Sequence, residues 1–130
     1  SAPGVVMDVP ADTAELGVIR REIRRFVTAA GGDDDVADDF ELVVSELATN
    51  VIEHTTSPRL TVRMTRTAEE WILDVADVED ARILDHVTLP DHRQISGRGL
   101  FVVASLVDEV GVVDDGDRHA VRCRRRITAR

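Results

Sequence analysis

The chain has 130 residues, of which 43% are hydrophobic, and its formal net charge is −9. This length and apolar content predict one domain with one core over residues 1–130, and the acidic balance argues against a general nucleic-acid binder, because phosphate contacts need a basic surface. The sequence contains no lysine, which excludes phosphate sites built on that residue, such as the P-loop and the eukaryotic-type kinase core.

The first part of the chain predicts an edge strand and two helices. Residues 5–9 form a short apolar run ended by Pro10, which is typical of an edge strand. A capping-box-like pair, Asp12 and Glu15, predicts the start of an amphipathic helix that Gly31–Gly32 ends. The arginines expected on its solvent side are Arg20, Arg21, Arg24 and Arg25. Aspartates at 33–35 then cap a second, largely buried helix over about 36–54.

The remaining chain predicts strands, a third helix and a long irregular segment. Alternating residues predict strands over 60–65 and 71–76, joined by a polar turn at 67–70. Residues 78–96 lack periodicity and predict a long mobile segment over a site. A loop at 97–99 then leads into a helix over 100–106, and strands over 110–113 and 120–127 follow, with a turn at Asp115–Gly116. This order predicts an α+β fold, a two-layer α/β sandwich with helices on one face of a mixed, mostly antiparallel sheet.

Compartment is indicated by what the sequence lacks. Its one cysteine, Cys123, excludes an internal disulfide framework, suits a reducing environment and predicts a small core residue. No apolar run approaches the roughly 20 residues of a membrane helix, and no signal peptide is visible. We therefore expect a cytoplasmic protein with no membrane partner. The arginines Arg122, Arg124 and Arg126 alternate on the last strand and predict one solvent-facing side.

Three groups of residues could carry chemistry. Glu46, Asn50 and His54 share one stripe of the apolar second helix, so they either reach the surface or form a site for magnesium and phosphate. Asp77 ends a strand, where it either caps a turn or accepts a hydrogen bond from an amine in a pocket. The motif Gly97-Arg98-Gly99-Leu100 opens a helix, and glycines there let the backbone approach a phosphate.

The order of these motifs resembles a known family. Residues 41–54, Glu-Leu-Val-Val-Ser-Glu-Leu-Ala-Thr-Asn-Val-Ile-Glu-His, look like the N-box of the GHKL (Bergerat-fold) ATPases, closest to their anti-sigma factor serine kinases. Residues 97–103, Gly-Arg-Gly-Leu-Phe-Val-Val, resemble the second glycine box of that branch. Residues 9–12 and the closing hairpin match the family layout, so the resemblance spans nearly the whole chain.

The resemblance implies an ATP- and Mg²⁺-dependent protein kinase. Asn50 would coordinate magnesium, Glu46 would be the general base, and Asp77 would bind the adenine amino group. The phosphate end would be lined by Gly97, Arg98, Gly99 and Leu100. The substrate would be an anti-anti-sigma factor of the STAS fold, the second partner a sigma factor, and the kinase a homodimer that regulates transcription.

Two departures from the family pattern leave a second interpretation open. The first glycine box, Asp-x-Gly-x-Gly, here reads Asp-Val-Glu-Asp-Ala over residues 77–81, without either glycine. The threonine of the final strand, which helps to hold adenine in the family, has Ala120 as its expected equivalent. The alternative is therefore a catalytically degenerate module that binds partners without turning over ATP. Two further alternatives are the ATP-binding half of a sensor histidine kinase and a nucleic-acid binder acting through the arginine-rich tail.

Overall fold

The structure is a computed structural model that describes residues 3–78, 97–114 and 118–128. The strands are β1 (Gly4–Pro10), β2 (Arg59–Arg66), β3 (Glu70–Val78), β4 (Glu109–Asp114) and β5 (Arg118–Arg126). The helices are α1 (Leu16–Ala29), α2 (Asp34–His54) and α3 (Gly97–Leu106), and a short 3-10 turn (Thr13–Glu15) leads into α1. The predicted mobile segment beyond Val78 and the predicted turn at Asp115–Gly116 lie outside the described residues.

The five strands form one sheet in the order β1-β2-β3-β5-β4. Each described pairing of neighbouring strands is antiparallel. The α+β prediction is confirmed, but these strands form an antiparallel sheet and not the mixed sheet that was predicted. The strand β1 lies at an edge, as Pro10 predicts, because proline cannot donate to a further strand. None of the helices in the described ranges is long and apolar enough to cross a membrane.

Alternation along the strands places the helices on one face of the sheet. In β2, Leu60, Val62 and Met64 are buried on the helix side, where they pack with the apolar side of α2 in one core. Phe40 of α2 contacts Trp71 of β3 with ring centroids 6.3 Å apart. Both layers of the predicted sandwich therefore share a single hydrophobic core.

The other face of the sheet carries paired charges. Arg122 of β5 binds Asp74 of β3 through two hydrogen bonds of 2.7 and 2.8 Å, and Arg124 binds Glu70 at 2.5 Å. The predicted alternation of these arginines is confirmed, but Arg122 and Arg124 are half-buried and ion-paired. Cys123, between them in sequence, points the other way and is buried, as predicted.

The helix ends follow the predicted capping only in part. Asp33 caps α2, since its Oδ1 accepts a hydrogen bond from the backbone N–H of Val36 at 2.9 Å. Gly31 ends the preceding segment with φ of +96°, a conformation that glycine adopts without strain. The capping box expected at α1 is wrong. Asp12 instead caps the 3-10 turn, and Glu15 makes no side-chain cap.

The arginines of α1 do not all face solvent as predicted. Arg24 forms ion pairs with Glu41 and Asp38 of α2, and the Nη1 of Arg20 donates to Ser45 Oγ at 3.4 Å. Arg20 and Arg24 lie one turn apart and so share a side of α1. That side therefore joins the two helices. Arg21 and Arg25 are exposed as expected.

Candidate functional site

A buried amide on α2 is the first element of the candidate site. Asn50 is only 6% exposed and lies beside the core residue Val51. Its side chain makes no hydrogen bond to any residue in the described ranges. Buried polar groups are nearly always hydrogen-bonded, so this amide is suited to a ligand. Glu46, one turn earlier, is half-buried, whereas His54 at the end of α2 is exposed.

A buried carboxylate on β3 is the second element. Asp77 is 1% exposed and follows Leu73 and Val75 on the side of β3 that faces the helices. It pairs in register with Leu60 of β2 and with His119 of β5. A carboxylate in an apolar layer is costly unless it is paired or hydrogen-bonded, so Asp77 stays a candidate for the predicted pocket role.

The directions of α2 and β3 bring these two residues to the same end of the fold. At one end, Phe40 in the first half of α2 contacts Trp71 at the start of β3. At the other end, α2 is followed closely by Leu60, which pairs with Asp77. Because both elements advance away from the Phe40–Trp71 contact, Asn50 and Asp77 lie toward the same end.

The contacts of Arg125, which the sequence analysis did not single out, show the direction of α3. Arg125 Nη1 donates to Asp39 Oδ2 on α2 at 2.6 Å and to the backbone oxygen of Leu106 at 3.4 Å. The end of α3 therefore lies beside the first half of α2, against which α3 packs. Its beginning points toward the end of α2 that carries Asn50. The sequence contained this information, because successive side chains of a strand point to opposite faces. Arg125 directly follows Arg124 and must therefore face the helices.

The glycine motif forms the first turn of α3 rather than the loop before it. The helix begins at Gly97, so Gly99 and Leu100 are helical. Gly99 is buried and Leu100 is half-buried against the core. The first turn of a helix presents N–H groups without partners in the helix, which suits an anion. The side chain of Arg98 lies outside the described part of the chain.

Comparison with known families decides the family of this chain. The model of the histidine kinase-like ATPase domain matches residues 9–125. The chain belongs to the histidine kinase-like ATPase domain family. A search of curated proteins found no match. Because this family is one of ATPase domains, ATP is the expected ligand of the chain.

Solved structures show the same fold. The structure of the RsbU and RsbW domains of Rv1364c from Mycobacterium tuberculosis aligns with a TM-score of 0.71 at 16% identity, over 95% of this chain and 32% of that chain. This chain thus spans about a third of the length of that relative. The SiaB–SiaC complex from Pseudomonas aeruginosa aligns with a TM-score of 0.65 at 13% identity, over 95% of this chain and 88% of that chain.

The register of the ATPase-domain sheet corrects one expectation. Ala120 pairs with Ala76, whereas Asp77 pairs with position 119. Directly paired residues point to the same side of a sheet, so Ala120 faces away from Asp77 and the helices. The expectation that Ala120 occupies the threonine position of the adenine pocket is therefore wrong. Position 119 is the one beside Asp77.

Proposed function

We propose that this domain binds ATP with magnesium and transfers the γ-phosphoryl group to a serine of a STAS-domain anti-anti-sigma factor, and that it also sequesters a sigma factor. One observation carries the proposal. The nearly buried Asn50 amide has no hydrogen-bond partner in the described residues, and it lies toward the end of the fold to which Asp77 and the beginning of α3 are also directed. An amide oxygen is a ligand that magnesium accepts together with phosphate and water.

The polar groups at this end of the fold suit a nucleotide such as ATP. Asp77 would accept a hydrogen bond from the adenine amino group, and the first turn of α3, with Gly97, Arg98, Gly99 and Leu100, would face the phosphates. Within the described ranges, no group of three or more His, Cys, Asp or Glu side chains could hold a metal ion alone. A magnesium ion held by Asn50 would also be coordinated by phosphate and water, and it would neutralise phosphate charge.

Glu46 is the group proposed to move a proton. It lies one turn from Asn50 and is only half-buried, so a serine of a partner protein could reach it. The serine oxygen would form a bond to the γ-phosphorus, and the bond from that phosphorus to the β–γ bridging oxygen would break. The proton of the hydroxyl would pass to the Glu46 carboxylate, and ADP would leave.

Protein partners are supported by the structural neighbours. One contains an RsbW domain, and the other is SiaB in complex with SiaC, so this fold is compatible with protein docking. The sigma factor, the STAS-domain substrate, the homodimer and the cytoplasmic location are parts of the same proposal. The sensor histidine kinase and nucleic-acid alternatives receive no specific support from the described residues.

The kinase assay compares two glutamates of the same helix. Full-length protein, magnesium, labelled ATP and STAS-domain proteins from the same genome should yield phosphoserine with the wild type and with Glu53→Gln, because Glu53 is exposed. Glu46→Gln should lower the rate at least about 100-fold if it is the general base. Equal rates in Glu46→Gln and wild type, or no transfer to any of those proteins, would refute the kinase proposal.

The second candidate is a module that binds partners without ATP turnover. The missing glycines over residues 77–81 favour it. Calorimetry with Mg-ATP separates the two candidates. Micromolar affinity that is lost in Asn50→Ala and kept in the neighbouring Thr49→Ala supports the nucleotide site, whereas no measurable affinity in the wild type supports the binding-only module.

A further inference from the structure

A cavity of about 310 Å³ lies at the end of the fold opposite to Asn50 and Asp77. Its walls come from the loop between α1 and α2, the first turn of α2, and the ends of β2 and β5 near the start of β3. Trp71 forms part of the apolar wall, together with Val36 and Ile127. The charged residues that line it are Arg66, Arg125, Arg126, Asp33 and Asp35.

Arg66 is the group in this cavity that lacks an acceptor. Its guanidinium carbon lies 5.4 Å from the centroid of the Trp71 ring. Its Nε is buried and has no hydrogen-bond partner among the described residues. A buried donor without an acceptor is costly, more so on a charged group. The two outer nitrogens of the same guanidinium are not among the buried unpartnered atoms, and Arg66 lines the cavity, so an acceptor that entered the cavity would bind these outer nitrogens.

The other charges limit what that acceptor can be. Arg125 is already held by Asp39, whereas Arg126 is exposed and lies 3.5 Å from Asp108. Two carboxylates, those of Asp33 and Asp35, line the same cavity and oppose a ligand with several negative charges. An oxyanion with one negative charge is therefore favoured over a phosphate dianion.

We propose that this cavity binds the carboxylate of a small organic acid, with Arg66 as the residue that holds the carboxylate and Arg126 beside it. The apolar wall at Trp71 and Val36 would contact a short hydrocarbon chain. The volume lies at the lower end of the range for ligand pockets, about 300–1,000 Å³, which fits a molecule of a few carbons. The inference does not rest on the proposed function, because the cavity shares no residue with the nucleotide site.

The single tryptophan makes the site directly observable. The chain has one tryptophan and no tyrosine, so intrinsic fluorescence reports Trp71 alone. Sodium butyrate is the probe, titrated at constant ionic strength against sodium chloride. We expect a saturable change in Trp71 emission with butyrate and none with chloride. The Asn50→Ala variant should respond like the wild type.

Matched arginine variants test the assignment. Arg66→Gln should weaken butyrate binding at least about 10-fold, while Arg63→Gln should leave it unchanged, since Arg63 is exposed on the opposite face of β2. Arg126→Gln, at an exposed position, should weaken binding at least about two-fold, and it decides the question if Arg66→Gln does not fold. The proposal is overturned by a wild type without a saturable response, by equal affinity in the wild type and either cavity variant, or by tighter binding of phosphate than of butyrate.

Discussion

Above about pH 9, the stability of this domain is expected to depend on one side chain, Cys123. The sequence contains no lysine and no tyrosine, so this thiol is the only side chain with an ordinary pKa between about pH 9 and pH 11. Cys123 is fully buried on β5. Burial, assisted by the negative charge of Asp74, raises its pKa from 9.0 to about 12.

The raised pKa fixes the sign of the effect. The thiol of the unfolded chain loses its proton near pH 9.0, but the folded domain keeps it until about 12. In this window the unfolded state binds fewer protons than the native state, so the free energy of unfolding falls as the pH rises. The stabilisation from Cys123 is complete below pH 9 and is lost toward pH 12. The free energy of unfolding falls by at most about 1.4 kcal/mol per pH unit. The total loss reaches about 2 kcal/mol by pH 10.5.

Urea unfolding at pH 8 and pH 10.5, followed by Trp71 fluorescence, measures this loss. The Cys123→Ala variant is the control, because it lacks the thiol and keeps every other titrating group. The variant should be less stable at pH 8, since it leaves a small cavity, but its stability should change little between the two pH values. The wild type should lose about 2 kcal/mol more than the variant. Equal losses in both proteins would refute the argument.

Three further predictions concern packing. A double-mutant cycle of Asp39→Asn and Arg125→Gln, measured by urea unfolding, should give a coupling of about 1 kcal/mol for this partly exposed pair, and a coupling near zero would show that the ion pair between α2 and β5 does not stabilise the domain. Phe40→Ala should lower the free energy of unfolding by about 3–5 kcal/mol in the same assay, since Phe40 is fully buried. Gly32→Ala should lower the melting temperature, because its Cβ would lie 2.4 Å from a side-chain carbon of Val27; an unchanged melting temperature would show that the loop yields.

The elements of the fold were predictable because their periodicities are strong. Alternation in β2 and β3 places both strands and the turn between them, and the aspartate before α2 does cap it. The capping box at Asp12 failed because the chain first forms a 3-10 turn there, so the cap serves that turn and not α1. Local sequence shows that a helix starts, but not which backbone N–H groups its side chain reaches.

The charges were less predictable than the apolar pattern. Arg24 reads as a solvent-facing residue of an amphipathic helix, yet it binds Asp38 and Glu41 of α2. These partners belong to a different helix, and only the packing of α1 against α2 brings them into reach. Spacing within one helix cannot reveal such a pair, although the acidic run at the start of α2 matches the basic run of α1 in sign.

In the candidate site too, the sequence indicates which residues are polar and buried, but not which residues lie beside them. A polar residue in an apolar run is visible in sequence, so Asn50 and Asp77 could be chosen, and both are buried. Their neighbours depend on strand register, because a shift of one residue moves each side chain to the other face of the sheet. The linear motif therefore indicates Ala120, whereas His119 is the residue that pairs with Asp77. Because the sheet order places β3 between β2 and β5, one neighbour of Asp77 comes from the preceding strand and the other from a strand that is distant in sequence. In register, Asp77 therefore lies between Leu60 and His119, and not beside the alanine that the linear motif indicated.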